Sequence, residues 1–235
     1  MNGHSNGSRG LCYSCPNQHF HFCKSLLNGS STEFDAHGVK NLSFTAKQYL
    51  YHEGDMNHEL FVLREGWVML TRLSEDGERQ VFRSVLPGEL FGFQVHLQEP
   101  SIYSAIALLD SVVCRVPNII ELCATRPELA FSFASAAARD MMLTERYLTH
   151  ITHCSARRKI AFMVLELYHR LQRCGLNREY AIQFPLKQED IADMLGLTVI
   201  HVNRTLHALK DDGLLEIHKR ELTILNYRAL CILVG

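Results

Sequence analysis

Between residues 49 and 116 the apolar positions come in short runs cut by turn residues. The runs Tyr49–Tyr51, Leu60–Leu63, Trp67–Arg72, Gln80–Val85, Ala105–Leu109 and Val112–Val116 are separated by turns such as Glu53-Gly54-Asp55, Asp76-Gly77 and Pro87-Gly88. Closely spaced short strands with Gly turns predict a small antiparallel barrel or sandwich. At residue 127 the period changes. Ala134, Ala137, Met141, Thr144, Leu148 and Ile151 recur at steps of three and four, and Pro127 stands where a first-turn proline is tolerated. One long helix is predicted over 127–153. Its seam has the a/d spacing of a helix paired with its own copy, a spacing that an amphipathic helix packed on its own domain shares. The segment 155–235 reads as helical to about Asp211, then as two short strands, Leu214–His218 and Leu222–Leu225, around the basic turn Lys219-Arg220.

Within that last segment, residues 188–204 have the build of a helix-turn-helix. Ile191, Ala192 and Leu195 give a first helix one buried face, and Ala192 is small where two helices cross closely. Gly196 suits the left-handed turn that ends this helix, and Thr198 can cap the next one. Val202, Leu206 and Leu209 supply the second helix's buried face, which leaves Ile200, His201, Asn203, Arg204 and His207 exposed. Arg204 can donate two hydrogen bonds to a guanine edge, Asn203 can pair with adenine or hold a phosphate, and Ile200 can meet a thymine methyl. The expected DNA-binding set is Thr198, Ile200, His201, Asn203, Arg204, His207, Lys219 and Arg220, the last two acting on phosphates from the wing.

Charge adds a little to this picture. The net charge of −1 hides an asymmetry: residues 1–152 carry 12 Lys/Arg against 16 Asp/Glu, whereas residues 153–235 carry 12 against 9. The basic third is the one with the helix-turn-helix, although the display of charge matters more than its sum. No run of eighteen apolar residues occurs, so no membrane partner is expected, and the polar first ten residues lack the core of a secretion signal. A cytoplasmic location follows as the expectation. No nucleotide loop, nucleophile elbow or paired metal-binding histidines on a helix is present, so the chain does not read as an enzyme. A redox enzyme built on the cysteines is the alternative of a different class, and it leaves the helix-turn-helix unexplained.

In a reducing compartment the eight cysteines are not expected to form disulfides. Cys12, Cys15 and Cys23 form a C-x2-C-x7-C triplet. Such a triplet can hold an iron–sulfur cluster with one further thiolate, or zinc with Cys or His completing the set, and His19 and His21 are candidates for that role. The triplet alone leaves both open. Phe20 and Phe22, beside the triplet, are expected mainly to pack. Haem, with His52 or His96 as axial ligand, is a weaker option. Cys123, Cys154, Cys174 and Cys231 have no partner spacing and read as structural thiols.

Nearly the whole chain resembles the family of cyclic-AMP receptor protein and the fumarate–nitrate reduction regulator. The resemblance rests on Ser155-Ala156-Arg157-Arg158-Lys159-Ile160-Ala161, Phe184-Pro185-Leu186, the helix-turn-helix and the barrel stretch Pro87-Gly88-Glu89-Leu90-Phe91-Gly92. It implies an α+β fold: a cysteine-rich segment over 1–30, a β jelly-roll sensor domain over 31–126, a dimerisation helix over 127–153, and a winged helix-turn-helix DNA-binding domain over 154–235. It also implies a homodimer on a near-palindromic site. In the oxygen-sensing branch an N-terminal cysteine triplet works with one distant cysteine near the end of the barrel. Cys114, in Val112-Val113-Cys114-Arg115-Val116-Pro117, has that position. The resemblance therefore implies Cys12, Cys15, Cys23 and Cys114 as ligands of a 4Fe–4S cluster whose loss to oxygen weakens the dimer. It further implies a contact with RNA polymerase through the turn Glu75-Asp76-Gly77-Glu78. Two departures stand out. The base-reading positions usually carry Glu, Ser and Arg, and here they are Ile200, Asn203 and Arg204. The Arg-Ser pair that holds a cyclic nucleotide's phosphate is replaced by Tyr103-Ser104, so a cyclic nucleotide is not expected.

Overall fold

The structure is a computed structural model, and it describes residues 15–27, 38–56, 59–93 and 99–235. The chain divides into two compact units. One comprises Met1–Glu78 with Phe82–Met141, and the other Arg79–Val81 with Met142–Gly235.

The first unit is the jelly-roll sandwich. Its strands are β1 (Lys40–Phe44), β2 (Tyr49–Tyr51), β3 (Leu60–Glu65), β4 (Val68–Leu73), β5 (Arg79–Val85), β6 (Leu90–Phe91), β7 (Ser104–Ala107) and β8 (Ser111–Val116). They form two four-stranded sheets, in the orders β1-β8-β3-β6 and β2-β7-β4-β5. All six expected runs keep at least three residues as strand, and Trp67 precedes β4 as a buried residue. Strand β1 was not foreseen. It is half-exposed and alternates weakly, and its pairing with β8 is what makes it a strand.

Strands β3 and β8 are apolar at nearly every position because both faces of their sheet are buried. Phe61, Leu63 and Val113 point into the sandwich with Tyr51, Val68, Leu70, Val85 and Phe91. Leu60, Val62, Cys114 and Val116 belong to a second core on the sheet's other face. Three helices cover that face: α1 (His21–Leu27) through Phe22 and Leu26, α2 (Ile119–Thr125) through Ile119 and Leu122, and α3 (Pro127–His153) through Leu129. Burying each large apolar side chain contributes roughly 1.5–3 kcal/mol, so the short helix α1 is held by packing rather than by helix propensity.

The long helix α3 covers the expected span, and its residues are shared between the two units. Ala134, Ala137, Met141, Thr144 and Leu148 of its seam are all exposed in the single chain. Phe131, one step before the seam, is exposed as well, at 68%. Ile151 departs from the rest. It is half-buried, and its Cγ2 lies 4.0 Å from where a side chain on Gly196 would begin.

The second unit is built on α4 (Ala156–Arg173), whose N-cap Ser155 accepts from the Arg158 N–H. It continues through β9 (Ala181–Gln183), α5 (Gln188–Leu195), α6 (Val199–Asp211), β10 (Leu215–His218), β11 (Glu221–Ile224) and α7 (Tyr227–Val234). The wing is a three-stranded sheet in the order β10-β11-β9, so the two strands expected from the sequence gain a third that lies about forty residues upstream. No described helix is long and apolar enough to cross a membrane.

Candidate DNA interface and sensing site

Helices α5 and α6 take the expected form for local reasons. Asp190 accepts from the Lys187 N–H at 2.9 Å, which satisfies an orphan donor at the start of α5. Gly196 ends that helix at φ +62, a left-handed conformation that glycine adopts without steric cost. Buried Lys159, on α4, donates from Nζ to the Leu195 carbonyl at 3.3 Å and so places a cation at the helix's negative end. Thr198 caps α6, its hydroxyl accepting from the His201 N–H at 3.2 Å.

The buried face of α6 is Val202, Thr205 and Leu209, with Leu206 half-buried. Thr205 had no place in the expected pattern. It is tolerated because its hydroxyl donates to the His201 carbonyl at 2.7 Å. Ile200, Asn203, Arg204 and His207 are exposed as expected, Ile200 at 82%. His201 is a correction, for it is half-buried and less open to a base than its neighbours. Lys219 and Arg220 form the exposed two-residue tip between β10 and β11, where His218 pairs with Glu221. Between α6 and the wing lies a cavity of about 470 Å³, with an apolar floor including Ile191 and Leu215 and a rim of Lys187, Lys210, Lys219 and Arg220. A cationic rim over an exposed helix face is an arrangement that accepts a phosphate backbone and leaves side chains for base edges.

The cysteine region divides into a described part and an undescribed one. Cys12 lies outside the described residues, as does His96. Cys15 is buried at the start of a 3-10 turn, Pro16–His19. The turn is pinned to the barrel by Asn17, whose buried amide donates to the Leu63 and Arg64 carbonyls at 3.2 and 2.9 Å. Phe20 lies on the Pro87-Gly88 turn so closely that a Cβ on Gly88 would sit 2.3 Å from its ring. Phe22 is 2% exposed in the outer core, which bears out packing as its role.

Cys23, on α1, packs against the same core cluster that contains Cys114. Cys114 faces Asn41 across the β1–β8 pairing, and its thiol donates to Asn41 Oδ1 at 3.1 Å. Asn41 Nδ2 is buried with no hydrogen-bond partner. That amide can turn to offer an N–H to a deprotonated Cys114, the form a metal requires. Cys114 thus has the surroundings to serve as a thiolate ligand. Among the described residues, however, no three Cys, His, Asp or Glu side chains converge as a finished metal cage. His19 and His21, the alternative zinc ligands, each commit Nδ1: His19 donates to the Pro16 carbonyl at 2.6 Å, and His21 bonds Ser132 Oγ at 2.7 Å.

Ser132 was not found by sequence reasoning. It is fully buried on α3 and donates to the Glu128 carbonyl at 2.8 Å. Its only hydrogen being used there, it accepts from Ser25 at 2.5 Å and from His21. His21 and Ser25 bracket Cys23 on α1, so the helix carrying Cys23 is tied to α3 on both sides of that residue. Arg126 reinforces the tie by donating to the Ser25 and Leu26 carbonyls.

The sandwich interior, where a cyclic nucleotide would have to lie, is filled by the chain's own aromatics. Tyr51 stacks with Phe61 at 6.0 Å, Phe61 with Phe91 at 5.4 Å, and Tyr103 approaches Tyr51 at 6.4 Å. Burial pushes the Tyr51 phenol well above its usual range and raises Tyr103 as well. Neutral hydroxyls among aromatics offer no countercharge to a phosphate, the nearby Arg83 guanidinium is held by Asp140 at 2.7 Å and by the Leu90 carbonyl at 2.6 Å, and the Glu89 carboxylate accepts from the Leu86 N–H of its own turn at 3.0 Å.

Comparison with known proteins agrees with this geometry. A cyclic nucleotide-binding domain model matches residues 41–123, and a Crp-like helix-turn-helix domain model matches residues 158–233. The "Anaerobic regulatory protein" of Pasteurella multocida is 30% identical over 193 residues, covering 80% of this chain and 69% of its own. The "Fumarate and nitrate reduction regulatory protein" of Yersinia pestis is 28% identical over 193 residues, covering 80% of this chain and 74% of its own. The solved structure of FixK2 from Bradyrhizobium japonicum superposes with a TM-score of 0.75 at 24% identity, covering 84% of this chain and 98% of that one, which bears on the fold alone. The jelly-roll, the long helix, the winged helix-turn-helix and these relatives together establish that the chain belongs to the CRP/FNR family of transcription regulators.

Proposed function

We propose that this DNA-binding regulator senses oxygen or redox state through a 4Fe–4S cluster held by Cys12, Cys15, Cys23 and Cys114, and binds a palindromic promoter site as a homodimer while the cluster is intact. The observation that carries the proposal is the docking of the Cys23 helix on the barrel face that contains Cys114. A relative named for anaerobic regulation supports it at the level of the regulated process. Bound there, such a cluster would supply a redox centre that oxygen can oxidise.

The chain's own residues supply the relay. Asn17, Phe22 and Leu26 seat the cysteine segment on the barrel. His21 and Ser25 carry its position to Ser132 on α3. Releasing α1 would take both donors from the Ser132 oxygen and uncover Phe22 and Leu26, so the docked state is favoured whenever Cys23 and Cys114 share a ligand. The exposed seam of α3 then supplies the dimer contact. Monomers lose the advantage of engaging two half-sites at once.

Anaerobically purified full-length protein is expected to be brown, to hold about four irons per chain and to bleach in air. Cys114→Ala should abolish the colour. Ser132→Ala should keep the iron while losing part of the oxygen-dependent difference in DNA affinity. A colourless protein with stoichiometric zinc would replace this reading with a zinc site on the same residues. A Cys114→Ala variant with a full complement of iron would overturn the ligand set.

The exposed acids Glu75, Asp76 and Glu78 form the tight β4–β5 turn, closed by the Ser74 N–H donating to the Glu78 carbonyl at 2.9 Å. We assign this turn as the contact with RNA polymerase. Neutralising the three acids should lower promoter activation and leave DNA affinity unchanged; equal losses of both would refute the assignment.

A further inference from the structure

Asn203 replaces a smaller residue at a base-reading position, and the structure gives it a partner outside the recognition helix. Its Nδ2 donates to Gln188 Oε1 at 3.1 Å. Gln188 is the first residue of α5, and Asn203 lies in the second turn of α6, one residue before Arg204. We propose that Gln188 and Asn203 form one reading unit, in which Gln188 fixes the orientation of the Asn203 amide and thereby determines which base edge it accepts. The inference rests on the reading of α6 as the helix that meets the bases.

The chemistry of the amide gives the argument. A primary amide has one acceptor and two N–H hydrogens, only one of which lies on the same edge as the oxygen. Adenine in the major groove presents N7 as an acceptor beside the N6 amino donor, so it pairs with that mixed edge of Asn. The second N–H of Asn203 points away from this edge, and it is the hydrogen that Gln188 can take without competing with the base. A free Asn can also rotate by half a turn and exchange its oxygen with its nitrogen, which presents a different pattern to the groove. With its own N–H groups turned to a phosphate, Gln188 presents Oε1 to Asn203, and only the orientation with Nδ2 toward α5 then makes the bond, so the oxygen stays on the side left for the base.

Ile200 and Arg204, beside Asn203 on α6, do not offer a substitute acceptor. Ile200, three residues back on the same face, is apolar and 82% exposed. Arg204 has donors only. The Gln188 carboxamide keeps its own N–H groups for a second role. It lines the cleft whose rim carries Lys187, Lys219 and Arg220, where a phosphate oxygen is the matching acceptor. Gln188 is therefore a positioning residue for base recognition and has a separate route to a backbone contact, and the two roles differ in what they do to specificity.

The test uses full-length protein, prepared anaerobically, on a duplex selected from a randomised pool and on its single-base replacements. Asn203→Ala should lower discrimination at one base pair per half-site by roughly 5- to 150-fold, the range for losing one bidentate contact. Gln188→Ala should lower discrimination at that same base pair and at no other, and the double variant should lose little more than Asn203→Ala. Gln188→Glu keeps an oxygen that accepts from Asn203, so it should retain the discrimination while its added negative charge weakens every sequence. Thermal unfolding of each variant, unchanged within a few degrees, accompanies the titrations. If Gln188→Ala weakened all sequences equally and left discrimination intact, Gln188 would be a phosphate contact only and the proposal would fail. If Gln188→Glu lost the discrimination along with Gln188→Ala, the accepting oxygen would not be the cause, and the proposal would fail there too. If Asn203→Ala itself weakened all sequences equally, the fault would lie in the reading of Asn203 as a base contact, and this inference would fall with it.

Discussion

Arg204→Ala should cost roughly 1–3 kcal/mol per half-site on the selected sequence, and much less on sequences already altered at the guanine it reads. The guanidinium offers donors in a fixed fork, and guanine offers two acceptors in the major groove, so the loss is specific to that base pair. Arg204 is exposed on α6 beside Asn203, on the face opposite buried Val202 and Leu209. Ile200 stands where relatives of the oxygen-sensing branch usually carry an acid. It cannot accept a hydrogen bond from a cytosine amino group, so discrimination at that base pair should differ from theirs. Lys219 and Arg220 supply the contrast. At the tip of the wing they should act on phosphates, and replacing both with Ala should weaken all sequences about equally and flatten the salt dependence. Binding titrations at two salt concentrations separate the two classes. Equal loss on every sequence for Arg204→Ala would require the recognition face to be redrawn around Ile200 and His207.

Leu148→Glu should convert the protein to a monomer and raise the Kd for the palindromic site by two to four orders of magnitude, on the order of what linked half-sites contribute. Leu148 is 62% exposed in the single chain although it lies on an apolar seam with Met141, which is 61% exposed. A second copy of α3 would cover both, and a carboxylate placed there on each copy would be buried without a partner. Leu148→Met, which conserves volume, should remain dimeric. Sedimentation of both variants beside wild type is the measurement. An unchanged mass for Leu148→Glu would place the dimer contact elsewhere. Ile151, which the sequence marks as an equivalent seam position, is the wrong residue for this test. It is half-buried within its own chain near Gly196, so a charge there would also disturb the helix-turn-helix.

The sequence by itself determined whatever depends on neighbours a few residues away. Strand runs between Gly turns, the three-four period of α3, the left-handed Gly196, the Thr198 cap and the Lys219-Arg220 tip are all short-range matters of sterics and hydrogen bonding. They were legible in order along the chain, and with them the fold class and the exposed face of α6. The tertiary structure decided what depends on residues far apart. Strand β9 is only Ala181–Gln183, and it exists because Glu221–Thr223 pairs with it. Helix α7 carries one local signal, the N-cap Asn226 that accepts from the Ala229 N–H at 3.0 Å, and its buried Leu230 anchors it by packing. Which face of β8 looks outward decides that Cys114 joins the core beneath α1, a matter of which elements cover the sheet rather than of alternation. The same holds for Ser132, an unremarkable serine in a helical pattern until His21 and Ser25 reach it from more than a hundred residues away. It holds too for Gln188, whose partner Asn203 lies on the next helix. Local energies fix the strongly patterned elements; packing fixes the weak ones and which polar groups meet, because that pairing follows from satisfying buried donors and acceptors across the whole fold.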